Sequence, residues 1–125
     1  MILDTNALSA WLDGDPGIGK VLEQASLLLL SPIVLGEYRF GIAASRHRRE
    51  YQERLSLIEE DLPTLPLDAI TSEHYALVRQ ELKTKGTPIP WHDGWIAAQA
   101  RQHSLPILSR DTHFDAVPGI TRIGW

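Results

Sequence analysis

The chain has 125 residues, 43% hydrophobic and 22% charged, the balance of a soluble globular domain long enough to bury a core. It contains no cysteine, which excludes disulfides and thiolate metal sites, leaves oxygen and imidazole as the only metal donors, and fits a reducing cytoplasm. The formal net charge is −4, so the overall balance does not advertise nucleic-acid binding; no apolar run could span a membrane, and the N-terminus lacks the basic and long apolar regions of a signal peptide.

Ile2-Leu3 reads as a short buried strand. Asn6 is a plausible N-cap for a helix from Ala7 to about Asp13. Asp15-Pro16 opens a second helix reaching about Gln24, with Pro16 in its first turn. Leu27 to Leu30 reads as a second buried strand. Ser31-Pro32 then has the pattern of a cap followed by proline at the first helical position, and this helix runs to about Ser45. A more charged helix follows from about His47 to Glu60. Leu65 to Leu67 is a third strand candidate between prolines, and Thr71 to Lys83 a helix capped by Thr71 or Ser72. "TKGTPIPW" is a loop, broken by Gly86, Pro88 and Pro90. A small-residue helix, "DGWIAAQARQHS", precedes the buried strand "LPILSRD", and Ile120 to Ile123 forms a last short strand. Strands alternating with helices predict an α/β fold: one three-layer domain over residues 1–125, with a central, mostly parallel sheet of four to five short strands flanked by helices.

Four acids share a topological position. Asp4 and Asp111 follow strands, Glu37 lies just over a turn into the helix after the second strand, and Asp93 starts the "IAAQA" helix. In open parallel α/β sheets the carboxyl edge is where ligands bind. Crowded carboxylates repel and raise one another's pKa values, and a divalent cation keeps them ionised. Mg²⁺ and Mn²⁺ suit such oxygen donors and support phosphodiester hydrolysis. Each acid alone also has a structural reading: an Asx turn for Asp4, helix-dipole compensation for Glu37, a cap for Asp93 and an ordinary turn for "RDTHFD". Gly36 and Gly41, costly in a helix by about 1 kcal/mol each, suggest close packing around Glu37. Ala97, Ala98 and Ala100 would let the Asp93 helix approach the sheet closely.

"MILDTNALSAWL", "SPIVLGEYRFGI" and "GTPIPWHDGWIAAQARQHSLPILSRDTHFDAVPGI" together resemble the PIN-domain ribonucleases, specifically the VapC-type toxins of toxin–antitoxin pairs. Residues 46 to 85 match only in helical character. The resemblance implies a Mg²⁺- or Mn²⁺-dependent endoribonuclease using one or two ions. Asp4, Glu37 and Asp93 fall on the three family acids and Asp111 on a fourth, more variable position. Asn6 and Ser109 match supporting polar positions, and Asp115 is an outer-sphere candidate. An activated water as nucleophile would leave 3′-hydroxyl and 5′-phosphate ends. The resemblance further implies a homodimer and a cognate antitoxin, for which Trp11, Leu12, Tyr38, Phe40 and Ile42 offer apolar groove material. The chain departs from the family at His92, before the third acid, and at Trp95, two after it. Core packing ranks first for Trp95, with base stacking as the alternative; an exposed loop histidine is the plain reading of His92.

The densest basic run, Arg46, Arg48 and Arg49, is a candidate RNA contact. Pairing of Arg46 with Glu50 and Arg49 with Glu53 at i,i+4 is the competing reading, and ranks ahead. Two other functions stay open at this stage. A catalytically silent binding or regulatory module on the same sheet predicts acids that scatter or pair with arginine. A haloacid-dehalogenase-like phosphotransferase would use Asp4 as nucleophile, but Asn6 stands where its second Asp belongs. "DGDPGIGK" lacks the glycine spacing of a nucleotide-binding loop.

Overall fold

The computed structural model describes residues 1–125. Three two-residue strands, β1 (Ile2–Leu3), β2 (Ile107–Leu108) and β3 (Arg122–Ile123), form a parallel sheet in the order β1-β2-β3. Six helices surround it: α1 (Thr5–Leu12), α2 (Pro16–Gln24), α3 (Pro32–Ile42), α4 (Arg48–Asp61), α5 (Ala69–Lys85) and α6 (Trp91–His103), with a 3₁₀ turn at Thr112–Ala116.

The regular sheet is narrower than the four to five strands expected, but two further segments extend it. Leu29 bridges Ile2 and Leu30 bridges Thr64, both parallel. Leu30 N donates to Pro63 O at 3.0 Å and Leu65 N to Leu30 O at 2.9 Å. The expected strand Leu65–Leu67 shrinks to this single bridge because prolines at 63 and 66 remove the donors a longer ladder needs. Five extended segments thus lie in the chain order 3-2-1-4-5, all parallel. The direction of winding reverses between β1 and β2, and a ligand crevice opens at the carboxyl edge of such a switch point.

The strands β1 and β2 are buried on both faces, while β3 is only partly buried. Ile2, Leu3, Ile107 and Leu108 are fully inaccessible, as are Ala97 and Ala98 of α6. Burial on both faces is why these strands read as unbroken apolar pairs rather than alternating patterns. On α6 the small side chains do allow a close approach. The reading of Gly36 and Gly41 as close-packing residues does not hold: a Cβ built at either meets nothing within 4 Å.

Local caps set the helix boundaries. Ser31 Oγ accepts from Ile33 N at 3.2 Å, with Pro32 at the first position of α3, as expected. At α1 the cap is Asp4, whose carboxylate accepts from Thr5 N at 2.8 Å, and Asn6 is drawn into the first turn instead. At α5 the cap is Asp68, in a reciprocal box with Thr71, so the helix begins before the expected Thr71. The polar pair Ser31–Gln99 ties the start of α3 to α6: Ser31 Oγ donates to Gln99 Oε1 at 2.6 Å, and Gln99 Nε2 donates to Leu65 O at 3.0 Å. Trp95 stacks on Tyr75, centroids 4.0 Å apart, between α6 and α5; this is the packing role ranked first.

Candidate active site

At the switch point Asp4 leaves β1 and Ser109 leaves β2, side by side. Both are buried, Asp4 at 4% exposure and Ser109 at 0%. Ser109 Oγ donates to Asp4 Oδ2 at 2.6 Å and accepts from Asn6 Nδ2 at 3.1 Å and from Asp111 N at 2.9 Å. Asn6 Nδ2 also donates to Asp4 Oδ2 at 2.9 Å, while Arg110 N donates to Asn6 Oδ1 at 3.2 Å. One hydroxyl and one amide thereby lock the two strand ends together and fix Asp4 in a single orientation. Desolvation raises the Asp4 pKa, the hydrogen bonds from Ser109 and Thr5 oppose this, and the charges of Glu37 and Asp111 add to the rise.

Glu37, on α3, accepts from Thr5 Oγ1 at Oε2 at 2.5 Å and leaves Oε1 buried without a hydrogen-bond partner. Thr5 escaped the sequence reading, because nothing local predicts a contact across 32 residues. Asp93 lies in the first turn of α6, and its carboxylate is nine-tenths buried. Two imidazole nitrogens approach it, His92 Nε2 at 3.6 Å and His113 Nδ1 at 3.7 Å, both beyond hydrogen-bond reach. The Asp93 pKa is pushed up to about 6, first by desolvation and then by the charge of Asp4, with Asp111 and Glu37 adding and His92 opposing. All four acids therefore feel one another at the carboxyl edge, and none of them pairs with an arginine. The silent-module reading had predicted scatter or arginine pairing.

Donor atoms of Asp93, Asp111 and His113 lie within 4.8 Å of one another, a spacing that one ion can bridge. Asp4 and Glu37 stand outside that set, with hydrogen bonds on both oxygens of Asp4 and one of Glu37. His92 lies in a helix rather than a loop, as the second residue of α6, and its Nε2 is 3.5 Å from the unpartnered Oε1 of Glu37. Asp115 makes a two-pronged pair with Arg122 at 2.8 and 2.9 Å, so its own contacts are with that guanidinium. Arg46, Arg48 and Arg49 stay exposed at the α3–α4 corner. Arg49 lies 3.6 Å from Glu53 as the i,i+4 reading had it, but Glu50 pairs with Arg54 at 2.5 Å rather than with Arg46.

Beside Glu37 an open cleft of about 580 Å³ is walled by Pro32, Ile33, Phe40, Trp91 and His92. Phe40 is 85% exposed and Trp91 61%. Of the five apolar groove candidates, Leu12, Tyr38 and Ile42 are buried in the core and Trp11 packs against it, which leaves Phe40 alone on the surface.

The model of the PIN domain matches residues 1–120. This chain belongs to the PIN-domain family. It is 37% identical to the toxin FitB of Neisseria gonorrhoeae, over 90% of this chain and 88% of its relative. Its identity to the VapC ribonuclease Y4jK of Sinorhizobium fredii is 35%, over 90% and 87%. The structure of DNA-bound VapBC from Salmonella typhimurium superposes with a TM-score of 0.88 at 26% identity, covering 99% of this chain and 96% of that one. No helix is long and apolar enough to cross a membrane.

Proposed function

We propose that this PIN-domain chain is a metal-dependent endoribonuclease acting as the toxin of a toxin–antitoxin pair. The observation that carries the reading is Asp93: a nearly buried carboxylate, at the meeting point of three other acids, that accepts no hydrogen bond. An isolated buried charge is strongly disfavoured, and the group either takes up a proton or binds a cation. The donors present fit Mg²⁺ or Mn²⁺, with Asp93 and Asp111 nearest to a shared position and Asp4 and Glu37 beside them. When bound, such an ion polarises the phosphodiester and lowers the pKa of water at the site. The chain's own residues do the rest. Ser109 and Asn6 hold Asp4 in place and Thr5 orients Glu37. The open cleft beside Glu37 admits a single-stranded segment, so cleavage within a chain needs no free end.

The names of the relatives, a toxin and a VapC ribonuclease, support the same activity and an RNA substrate, and the VapBC structure supports a cognate antitoxin. The exposed Phe40 and Trp91 give an amphipathic segment or a second copy an apolar seat. The test is cleavage of defined single-stranded RNAs by the purified chain with EDTA, Mg²⁺ or Mn²⁺. Internal cuts that need the metal and fall at least about a hundredfold in Asp93→Asn are expected. Equal cutting by that variant, or full activity in EDTA, refutes the proposal.

A further inference from the structure

His113 is held by its own backbone against the acidic cluster. Asp111 caps the 3₁₀ turn: its Oδ1 accepts from His113 N at 2.9 Å. That tight turn folds the imidazole back, so Nδ1 lies 3.0 Å from Asp111 Oδ1 and 3.7 Å from Asp93 Oδ2. The ring is half exposed, with Nδ1 toward the two carboxylates and also 3.2 Å from Asp111 Oδ2. Asp93, nine-tenths buried and without a hydrogen bond, faces the same point from α6. His92, on the other side of Asp93, is not part of this close set.

We propose that His113 contributes an imidazole nitrogen to the ion shared by Asp93 and Asp111, and that this nitrogen biases the site toward Mn²⁺ over Mg²⁺. The proposal rests on the metal-dependent reading above and extends it to the identity of a ligand and of the ion. Mg²⁺ demands hard oxygen donors in near-ideal octahedral geometry and gives up water reluctantly. A first-row divalent ion accepts imidazole more readily, with affinity rising from Mn²⁺ along the series. Replacing one carboxylate or water oxygen by nitrogen therefore shifts the preference away from Mg²⁺.

The experiment loads the full chain with Mn²⁺ and reads nitrogen couplings by pulsed electron paramagnetic resonance, alongside Mn²⁺ and Mg²⁺ affinities by calorimetry. Wild type and His92→Gln are expected to show an imidazole coupling that His113→Gln lacks. The ratio of Mn²⁺ to Mg²⁺ affinity is expected to fall about tenfold or more in His113→Gln, whose folding is checked by circular dichroism. Bound Mn²⁺ without nitrogen coupling, a coupling lost in His92→Gln instead, or an unchanged affinity ratio overturns the proposal and leaves the nuclease reading standing. Failure of wild type to bind Mn²⁺ at all overturns both.

Discussion

Asp93→Asn should stabilise the metal-free protein while abolishing its function. The carboxylate is pushed up to about 6 from an ordinary 3.8, mainly because it is desolvated and sits near Asp4. A shift of about 2 units corresponds to about 3 kcal/mol, at about 1.4 kcal/mol per unit. The sign follows from proton counts. Between about pH 4 and pH 6 the folded state holds a proton at Asp93 that the unfolded chain has released, so stability falls as pH rises through this window. Above about pH 7 both states are ionised and the full penalty is present. Below about pH 4 both are protonated and it vanishes.

An asparagine keeps the size and loses the charge. Part of the desolvation remains, because the amide is also polar, so the expected gain at pH 8 is about 1 to 3 kcal/mol. At roughly 4 °C per kcal/mol for a chain of this length, the melting temperature should rise by about 4 to 12 °C in EDTA. Melts of wild type and variant from pH 4 to pH 8 should diverge through about pH 4 to 6 and run parallel above about pH 7. Saturating Mn²⁺ should close or reverse the gap, since an ion at a hundred times its dissociation constant adds about 2.7 kcal/mol to a protein that binds it and nothing to one that does not. A variant no more stable than wild type at pH 8, or a gap independent of pH, would show that Asp93 is not the strained group this geometry makes it.

Other perturbations separate the framework from the chemistry. Ser109→Ala removes the 2.6 Å donor to Asp4 and the acceptor for Asn6 and Asp111 N; about 1 to 3 kcal/mol of stability should be lost in urea titrations, with a weaker metal response. Gln99→Ala leaves the fully buried Ser31 Oγ and the partly buried Leu65 O without their Gln99 partner. It should cost about 2 to 4 kcal/mol in the same titration and, at temperatures where the variant is folded, leave Mn²⁺ affinity within about twofold. Gly41→Ala meets open space on the exposed side of α3 and should stabilise by about 0.4 to 1 kcal/mol, read as a rise of a few degrees in melting temperature.

What could be read in advance was whatever a few neighbouring residues decide. Ser31-Pro32 places the start of α3 because cap and proline act within one turn. Asp4 and Asp111 could be placed at a common edge because a residue after a parallel strand lies at that strand's carboxyl end wherever the strand sits. Helix starts went astray where a stronger cap stood nearby: Asp4 displaced Asn6, and Asp68 with Thr71 displaced Thr71 alone. The narrow sheet was hidden because apolar pairs such as Leu29-Leu30 do not reveal how many residues will hydrogen-bond. Thr5, His92 and His113 were out of reach for another reason. Their contacts depend on angles between α1, α3, α6 and the turn after β2, which no local pattern encodes. The one visible trace was a histidine two residues after an Asx-forming aspartate, and that spacing is equally common in turns with no site attached.

The acids of this site divide into two physical states, and the division explains how a negative cluster survives folding. Asp4 is the most enclosed by polar partners: three donors, Thr5 N, Asn6 Nδ2 and Ser109 Oγ, spread its charge into the ends of both central strands. Those donors offset part of the desolvation that raises its pKa and hold it as an anchor in one orientation. Asp93 has comparable burial and accepts no hydrogen bond, so within the chain its charge is eased only by the nearby imidazole of His92. Had Asp93 been satisfied in the way Asp4 is, its lone pairs would be committed and an incoming cation would have to displace hydrogen bonds before binding. On the metal-dependent reading proposed above, leaving it without a hydrogen bond costs a few kcal/mol in the metal-free fold, and a bound cation would recover that cost as affinity.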